Sequence, residues 1–148
     1  TSRANKKLQR KEHKFSPSKE EHIHLTNSFI KAMKEGNFDD LKDIFKADVS
    51  LYSDGGGKAI AARKVLHGDN NYISKFLIKV TRPIFLDSTA NLEIKTIWFN
   101  GSLGLILIHK GTVVTSYTFE ISKNKIVNIY TLRNPDKLRV FQNKLASI

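Results

Sequence analysis

Leu92-Glu93-Ile94-Lys95-Thr96-Ile97-Trp98-Phe99-Asn100-Gly101 is the stretch that decides the fold class. From Ala90 onward apolar residues recur at every second position, the period of a strand that buries one face. Leu92, Ile94, Thr96 and Trp98 form one such row. Asn100-Gly101 then gives the strongest short hairpin signal, because a tight hairpin turn asks for positive φ at both central residues. The pattern repeats. Leu103 to His109 makes a second strand, turned by Lys110-Gly111, and Val113-Thr115-Tyr117-Phe119-Ile121 makes a third. Ser122-Lys123-Asn124-Lys125 turns the chain again, and Ile126-Asn128-Tyr130-Leu132 makes a fourth. These strands read as one antiparallel meander.

Working outward, the period on both sides is helical. Asn134-Pro135 opens a last helix, with Asn as its cap, Pro at its first position and Leu138, Phe141 and Leu145 as an apolar stripe. Upstream, Ser18 and Glu21 form a capping box ahead of Ile23, Thr26, Phe29, Ile30 and Met33. Gly36 stops that helix. Asn37 caps a second one with Phe38, Leu41, Ile44 and Phe45 on its apolar face, ending near Ala47. A short alternating strand follows through Val49, Leu51 and Ser53. Residues 59–68 read as an irregular return segment. A third helix capped at Asp69 or Asn70 uses Tyr72, Ile73, Phe76, Leu77 and Val80 and ends before Pro83. Helices followed by a meander and a tail helix make an α+β domain, expected as a strongly bent sheet wrapped around the first helices. Such a sheet would enclose a conical cavity, a default place for a ligand.

Composition narrows the classes. A length of 148 residues suits one domain, 40% hydrophobic residues suit a globular one, and the absence of cysteine excludes disulfides and thiolate zinc sites. No apolar run is long enough to span a bilayer, and the start is too polar for a signal peptide. The chain opens on Thr1, as a fragment or processed form would. Most of the net charge of +11 lies at the two ends. Arg3, Lys6, Lys7, Arg10, Lys11 and Lys14 face only Glu12 in residues 1–14, and Arg133, Lys137, Arg139 and Lys144 face only Asp136 at the other end. Basic ends around a nearly neutral body suit contact with a polyanion, or plain solvated tails. The first 14 residues read as a basic helix with too little to bury for order on its own. Phe15-Ser16-Pro17 sets the boundary, dividing residues 1–15 from a domain at 16–148.

One stretch is unusual for a turn. Ser53-Asp54-Gly55-Gly56-Gly57-Lys58 runs from a strand into a carboxylate, three glycines and an ammonium. Three residues without Cβ let another backbone approach closely, although a flexible hairpin loop accounts for them equally. A phosphate-cradling loop does not fit, because Ala59 follows Lys58 where Ser or Thr would be needed.

Helix, helix, strand, helix and a curved meander resemble the SnoaL-like, nuclear-transport-factor-2-like superfamily, whose fold is a cone. More specifically, Ser53-Asp54-Gly55-Gly56-Gly57-Lys58 resembles the aspartate–triple-glycine–lysine motif of a subgroup of extracytoplasmic-function sigma factors. These carry a SnoaL-like extension after their DNA-handling regions. Asn134-Pro135-Asp136-Lys137-Leu138 is similar to that subgroup's second motif, just after the last strand. Ser2-Arg3-Ala4, Lys6 and Leu8 resemble the end of the region 4 recognition helix. The resemblance covers nearly the whole chain, but the promoter-melting region and most of region 4 are missing from it. It implies a cytoplasmic bacterial regulatory domain without cofactor, acting on the linker between sigma regions or on core RNA polymerase, with promoter DNA reached through the parent chain. Asp54, Gly55, Gly56, Gly57 and Lys58 with Asn134, Pro135, Asp136, Lys137 and Leu138 would lie close together, at or near the mouth of the cone, and form one interaction surface. Arg3, Lys6, Lys7 and Arg10 would touch DNA phosphates. A small-molecule ligand and a homodimer are both compatible.

The competing expectation is a free-standing SnoaL-like enzyme of isomerase or cyclase type, or a ligand-binding protein, with Asp54 working beside His67 or His109. His109 reads as a turn residue, and a general base needs contact that spacing cannot supply. His22 and His24 lack partner ligands, and His13 lies in the polar start, so no metal site is expected. Trp98, Tyr117, Phe119 and Tyr130 either line a pocket or fill the core of the bent sheet. The preferred reading is regulatory, not catalytic.

Overall fold

The computed structural model describes residues 18–54, 64–86 and 91–146. Its first helix, α1 (Lys19–Glu35), begins where the Ser18 hydroxyl accepts a hydrogen bond from the Glu21 amide at 3.0 Å. It ends at Gly36, whose φ of 67° lets the Asn37 amide reach back to the Ala32 carbonyl. Asn37 in turn caps α2 (Phe38–Ile44) by accepting from the Asp40 amide at 3.1 Å. Two adjacent residues thus end one helix and start the next.

The second helix is shorter than its apolar spacing predicts. Strand β1 (Phe45–Asp54) starts at Phe45, which the sequence places on the helix. Phe45 pairs with Ile126 of β6 (Lys125–Leu132) and is buried against Phe29, so sheet pairing overrides the helical period. The return segment contains a short strand, β2 (Lys64–Leu66), antiparallel to β1. Helix α3 (Asn70–Val80) is capped by Asp69, which accepts from the Tyr72 amide at 3.1 Å. Asn70 ties this helix to the end of α2, donating to the carbonyls of Lys42 and Phe45 at 3.1 Å each. A further short helix, α4 (Arg82–Leu86), holds Pro83 in its first turn, where the missing amide costs no hydrogen bond.

The meander is present as β3 (Leu92–Phe99), β4 (Ser102–His109), β5 (Thr112–Ser122) and β6. Its three turns carry positive φ at Asn100-Gly101, Lys110-Gly111 and Lys123-Asn124, as two-residue hairpins require. The described strands make one curved sheet in the order β2-β1-β6-β5-β4-β3. Here local pattern reading falls short: β1 lies parallel to β6, which the sequence does not announce.

Alternation sorts the side chains onto two faces. The concave face carries Leu51, Leu105, Leu107, Tyr117, Phe119 and Ile129, which pack with Leu25, Phe29, Met33, Leu41, Ile73 and Leu77 of the helices. Phe29 lies at the centre with no exposed surface, against the rings of Phe45, Phe85, Tyr117 and Phe119. The convex face carries Ile97, Ile106, Ile108 and Val113. Helix α5 (Pro135–Ala146) covers them with Leu138 and Phe141, the stripe expected of the tail helix. Gln142 fixes its far end by accepting from the Val113 amide and donating to the Gly111 carbonyl. Because β4 is covered on both faces, Leu103 to Ile108 are all buried.

Two outcomes test this packing. Phe29→Ala should cost about 3–5 kcal/mol in chemical denaturation, since the surrounding rings cannot close the space. His22 is buried on α1, its ring edge-on to Trp98 at 5.7 Å and its Nδ1 without a described hydrogen-bond partner. Desolvation holds its pKa below 6.5, opposed in part by Glu21. Protonation therefore favours the unfolded chain. Stability should be complete above about pH 6.5 and fall as pH drops towards the folded value. The thermal midpoint of His22→Leu should lose less than that of the parent chain between neutral and acidic pH.

Candidate functional site

Parallel pairing of β1 with β6 sets Asp54 opposite Leu132, and the Arg133 amide donates to the Asp54 carbonyl at 2.8 Å. The chain leaving β6 therefore turns into α5 right beside the end of β1. Asn134 caps that helix, its side-chain oxygen accepting from the Asp136 amide at 3.1 Å, with Pro135 at the first helical position. Lys137, one turn in, donates from Nζ to the Asp54 carboxylate. Residues of the two motifs, more than eighty positions apart, thus meet in one ion pair on the convex face. Leu138 is buried beneath, anchoring the helix on the sheet, while Pro135, Asp136 and Lys137 stay exposed. Gly55, Gly56, Gly57 and Lys58 lie outside the described residues, as do Arg3, Lys6, Lys7 and Arg10.

Beside the ion pair runs a cleft of about 230 Å³, whose lining includes Tyr52, Asp54, Ser116, Thr118, Tyr130, Leu132 and Phe141. Tyr52 and Tyr130 stack across the β1–β6 pair, 5.1 Å between ring centres and 14° between planes. The Tyr130 hydroxyl donates to Glu120 Oε2 at 3.1 Å, and Asn128 Nδ2 donates to the same oxygen at 2.7 Å. Desolvation, and then the Glu120 carboxylate beside it, push the Tyr130 pKa up, so the phenol stays neutral as a donor. Further along β1, Ser50 Oγ lies 3.3 Å from His67 Nδ1, and the His67 ring meets Tyr52 edge-on.

The four aromatic candidates do not share one chamber. Tyr117 and Phe119 are core residues around Phe29, and burial raises the Tyr117 pKa to about 12. Trp98 sits on the concave side near the edge strand, 36% exposed against His22, while Tyr130 points to the convex side and is 40% exposed. Tyr130 is the cross-strand partner of Thr118, between Tyr117 and Phe119, so it takes the opposite face. In the competing constellation, Asp54 is engaged by Lys137 and His67 by Ser50, and His109 pairs across the sheet with Leu92 and Thr112. Among the described residues no group of three or more His, Asp or Glu could hold a metal ion. No described helix is long and apolar enough to cross a membrane.

No family model and no curated protein matches the sequence. Solved structures do match the fold. The extracytoplasmic-function sigma factor SigJ of Mycobacterium tuberculosis aligns over 80% of this chain with a TM-score of 0.60 and 20% identity. A SnoaL-like protein of unknown function from Burkholderia thailandensis aligns over 78% of this chain and 96% of its own, with a TM-score of 0.54 and 12% identity. The fold is SnoaL-like. An epoxide hydrolase of M. tuberculosis, described as LEH-like, shares it over 88% of this chain and 93% of its own, at a TM-score of 0.50 and 16% identity. This chain spans 44% of the length of the sigma factor it matches.

Tyr52, Ser116, Thr118 and Glu120 were not singled out by the sequence reading. Their signal was the outward half of each alternating strand, which reads as ordinary solvated surface until strand order is known.

The Asp54–Lys137 pair links helix to strand without being a large source of stability, since Lys137 is about half exposed. Lys137→Ala should change unfolding free energy by less than about 1 kcal/mol. Asn134→Ala, which removes the cap, should cost about 1 kcal/mol or more. Paired denaturation curves would show the order.

Proposed function

We propose that this chain is the C-terminal regulatory part of a cytoplasmic bacterial extracytoplasmic-function sigma factor, and not an enzyme. It would modulate promoter-dependent initiation by contacting the linker between the sigma regions or core RNA polymerase. The observation that carries this reading is the ion pair joining Asp54, head of the first motif, to Lys137 of the second. Asp54 and Lys137, one residue from each of two segments resembling the paired motifs of one sigma-factor subgroup, are in contact at the exposed start of α5. The structural likeness to SigJ supports the same reading at the level of fold. Asp54, Asn134, Pro135, Asp136 and Lys137 would supply the contact surface, with Leu138 holding it in place. Residues 1–14 would lie near DNA in the parent, adding salt-sensitive phosphate contacts without base readout.

The test is run-off transcription by core polymerase with the full-length parent, a form truncated before Ser16, and the double variant Asp54→Ala, Lys137→Ala. The truncated form should change transcript yield by on the order of fivefold or more, the lower range of measured site-to-site couplings. The double variant should move yield in the same direction. Unchanged yield from the truncated form would overturn the regulatory role.

A further inference from the structure

We infer that the convex-face cleft beside Tyr130 is a receptor for one arginine side chain of a partner polypeptide, with Glu120 as its counter-charge. The inference rests on the reading above for the existence of a partner chain; the slot itself can be tested without one.

Four features carry it. The first is size. At about 230 Å³ the cleft falls below the roughly 300–1,000 Å³ of small-molecule sites, and it suits a single long side chain. Second, one wall is a ring whose other face is already taken. Tyr52 covers one side of Tyr130, and on the other side the same cross-strand row continues with Thr118 and then Gly104. The row thus drops from two aromatic rings to two small residues, and the cleft opens over Thr118 towards Phe141 of α5.

Third, an acidic group outside the lining is tied to one of the lining residues, Tyr130. Glu120 takes both described hydrogen bonds, from Asn128 and from Tyr130, on Oε2. That fixes the carboxylate at the hydroxyl end of the Tyr130 ring, with both of its described hydrogen bonds on one oxygen. The fourth feature is charge. Asp54, the carboxylate that lines the cleft, is paired with Lys137, so the counter-charge for an incoming cation falls to Glu120, hydrogen-bonded to the lining residue Tyr130. A flat cation lying on Tyr130 and bonding Glu120 meets all of these constraints. Guanidinium is that cation: it stacks on an aromatic face and donates from a planar fork, whereas ammonium is a compact, strongly hydrated point charge.

The experiment titrates the isotopically labelled chain with N-acetyl-arginine methylamide and follows amide and side-chain NMR shifts. The citrulline and lysine counterparts serve as a neutral isostere and a non-planar cation. The arginine probe should give saturable shifts centred on Ser116, Thr118 and Tyr130, with affinity on the order of millimolar, as one side chain allows. Citrulline and lysine should bind at least about tenfold more weakly, the loss expected when a charge-assisted hydrogen bond is removed. Glu120→Gln should abolish the arginine shifts while leaving the thermal midpoint unchanged, since Glu120 is exposed. Tyr130→Leu should weaken them too. Equal binding of lysine would overturn the planar-cation assignment. Equal binding of citrulline, or shifts scattered over the surface, would overturn the site. Because the probe needs no polymerase, failure here is distinguishable from failure of the regulatory reading, which transcription alone decides.

Discussion

The parallel pairing of β1 with β6 is the constraint on which the rest depends. It ties a strand from the first third of the chain to the last strand of the meander, with Phe45 opposite Ile126 and Asp54 opposite Leu132. Antiparallel neighbours come cheaply through a two-residue turn, but a parallel pair needs a long crossover, here the whole of α3, α4 and three hairpins. The hydrogen bond from the Arg133 amide to the Asp54 carbonyl carries this pairing just beyond the strand ends. From that contact the position of α5 follows, because the chain turns into its cap immediately afterwards. Register matters as much as pairing. A slip of one residue would send Tyr52 and Asp54 into the core and bring Leu51 out to solvent.

A sheet covered on both sides over part of its width and on one side elsewhere creates the exposed site. Strand β4 needs both covers, since Leu105 and Leu107 face the α1 side while Ile106 and Ile108 face α5. The tail helix reaches over this end of the sheet, with Gln142 clamped to the turn between β4 and β5. Beyond Asp54 and Leu132, no described helix packs on the convex side of β1 and β6, where Ser50, Tyr52, Asn128 and Tyr130 lie. Polar and aromatic groups can be tolerated there because they remain in contact with water or bond one another. Among the described residues, the polar stretch of the convex face therefore begins where the last helix stops covering it.

Much of this was legible in the sequence because its causes are local. Turn residues such as Asn100-Gly101, caps such as Ser18 and Asp69, and the stripe of Leu138 and Phe141 act within a few positions of themselves. Fold class followed from the change of period at Ala90. What was not legible is non-local. Phe45 carries a helical spacing signal yet is claimed by Ile126, 81 positions away, and no window around it holds that information. Tyr130 and Tyr117 look equivalent in the alternating pattern; only the register that makes Tyr130 the partner of Thr118 separates a surface ring from a core ring. The candidate site was half legible: its two motifs were visible, but the cleft beside the Asp54–Lys137 pair belongs to strands that meet only in the fold.

Where polar chemistry is gathered bears on what such a fold can do. Acid–base catalysis favours an enclosed place where water is excluded and charges act strongly. The described concave face is lined mainly by Phe29, Tyr117, Phe119 and their aliphatic neighbours, with Thr81, Thr131 and Arg133 beside Tyr117, while Asp54 is held by Lys137 on the other face. On the convex side an ion pair whose lysine is about half exposed, stacked tyrosines and a doubly bonded carboxylate form a polar patch with an aromatic centre, in the manner of a recognition surface for another chain. An ion pair of this exposure adds little to stability, so its effect is to hold the start of α5 against the end of β1 in one geometry. Fixed geometry is what a docking surface needs, because each side chain ordered only on binding subtracts from affinity. That distribution of groups is what supports the partner-binding role proposed above.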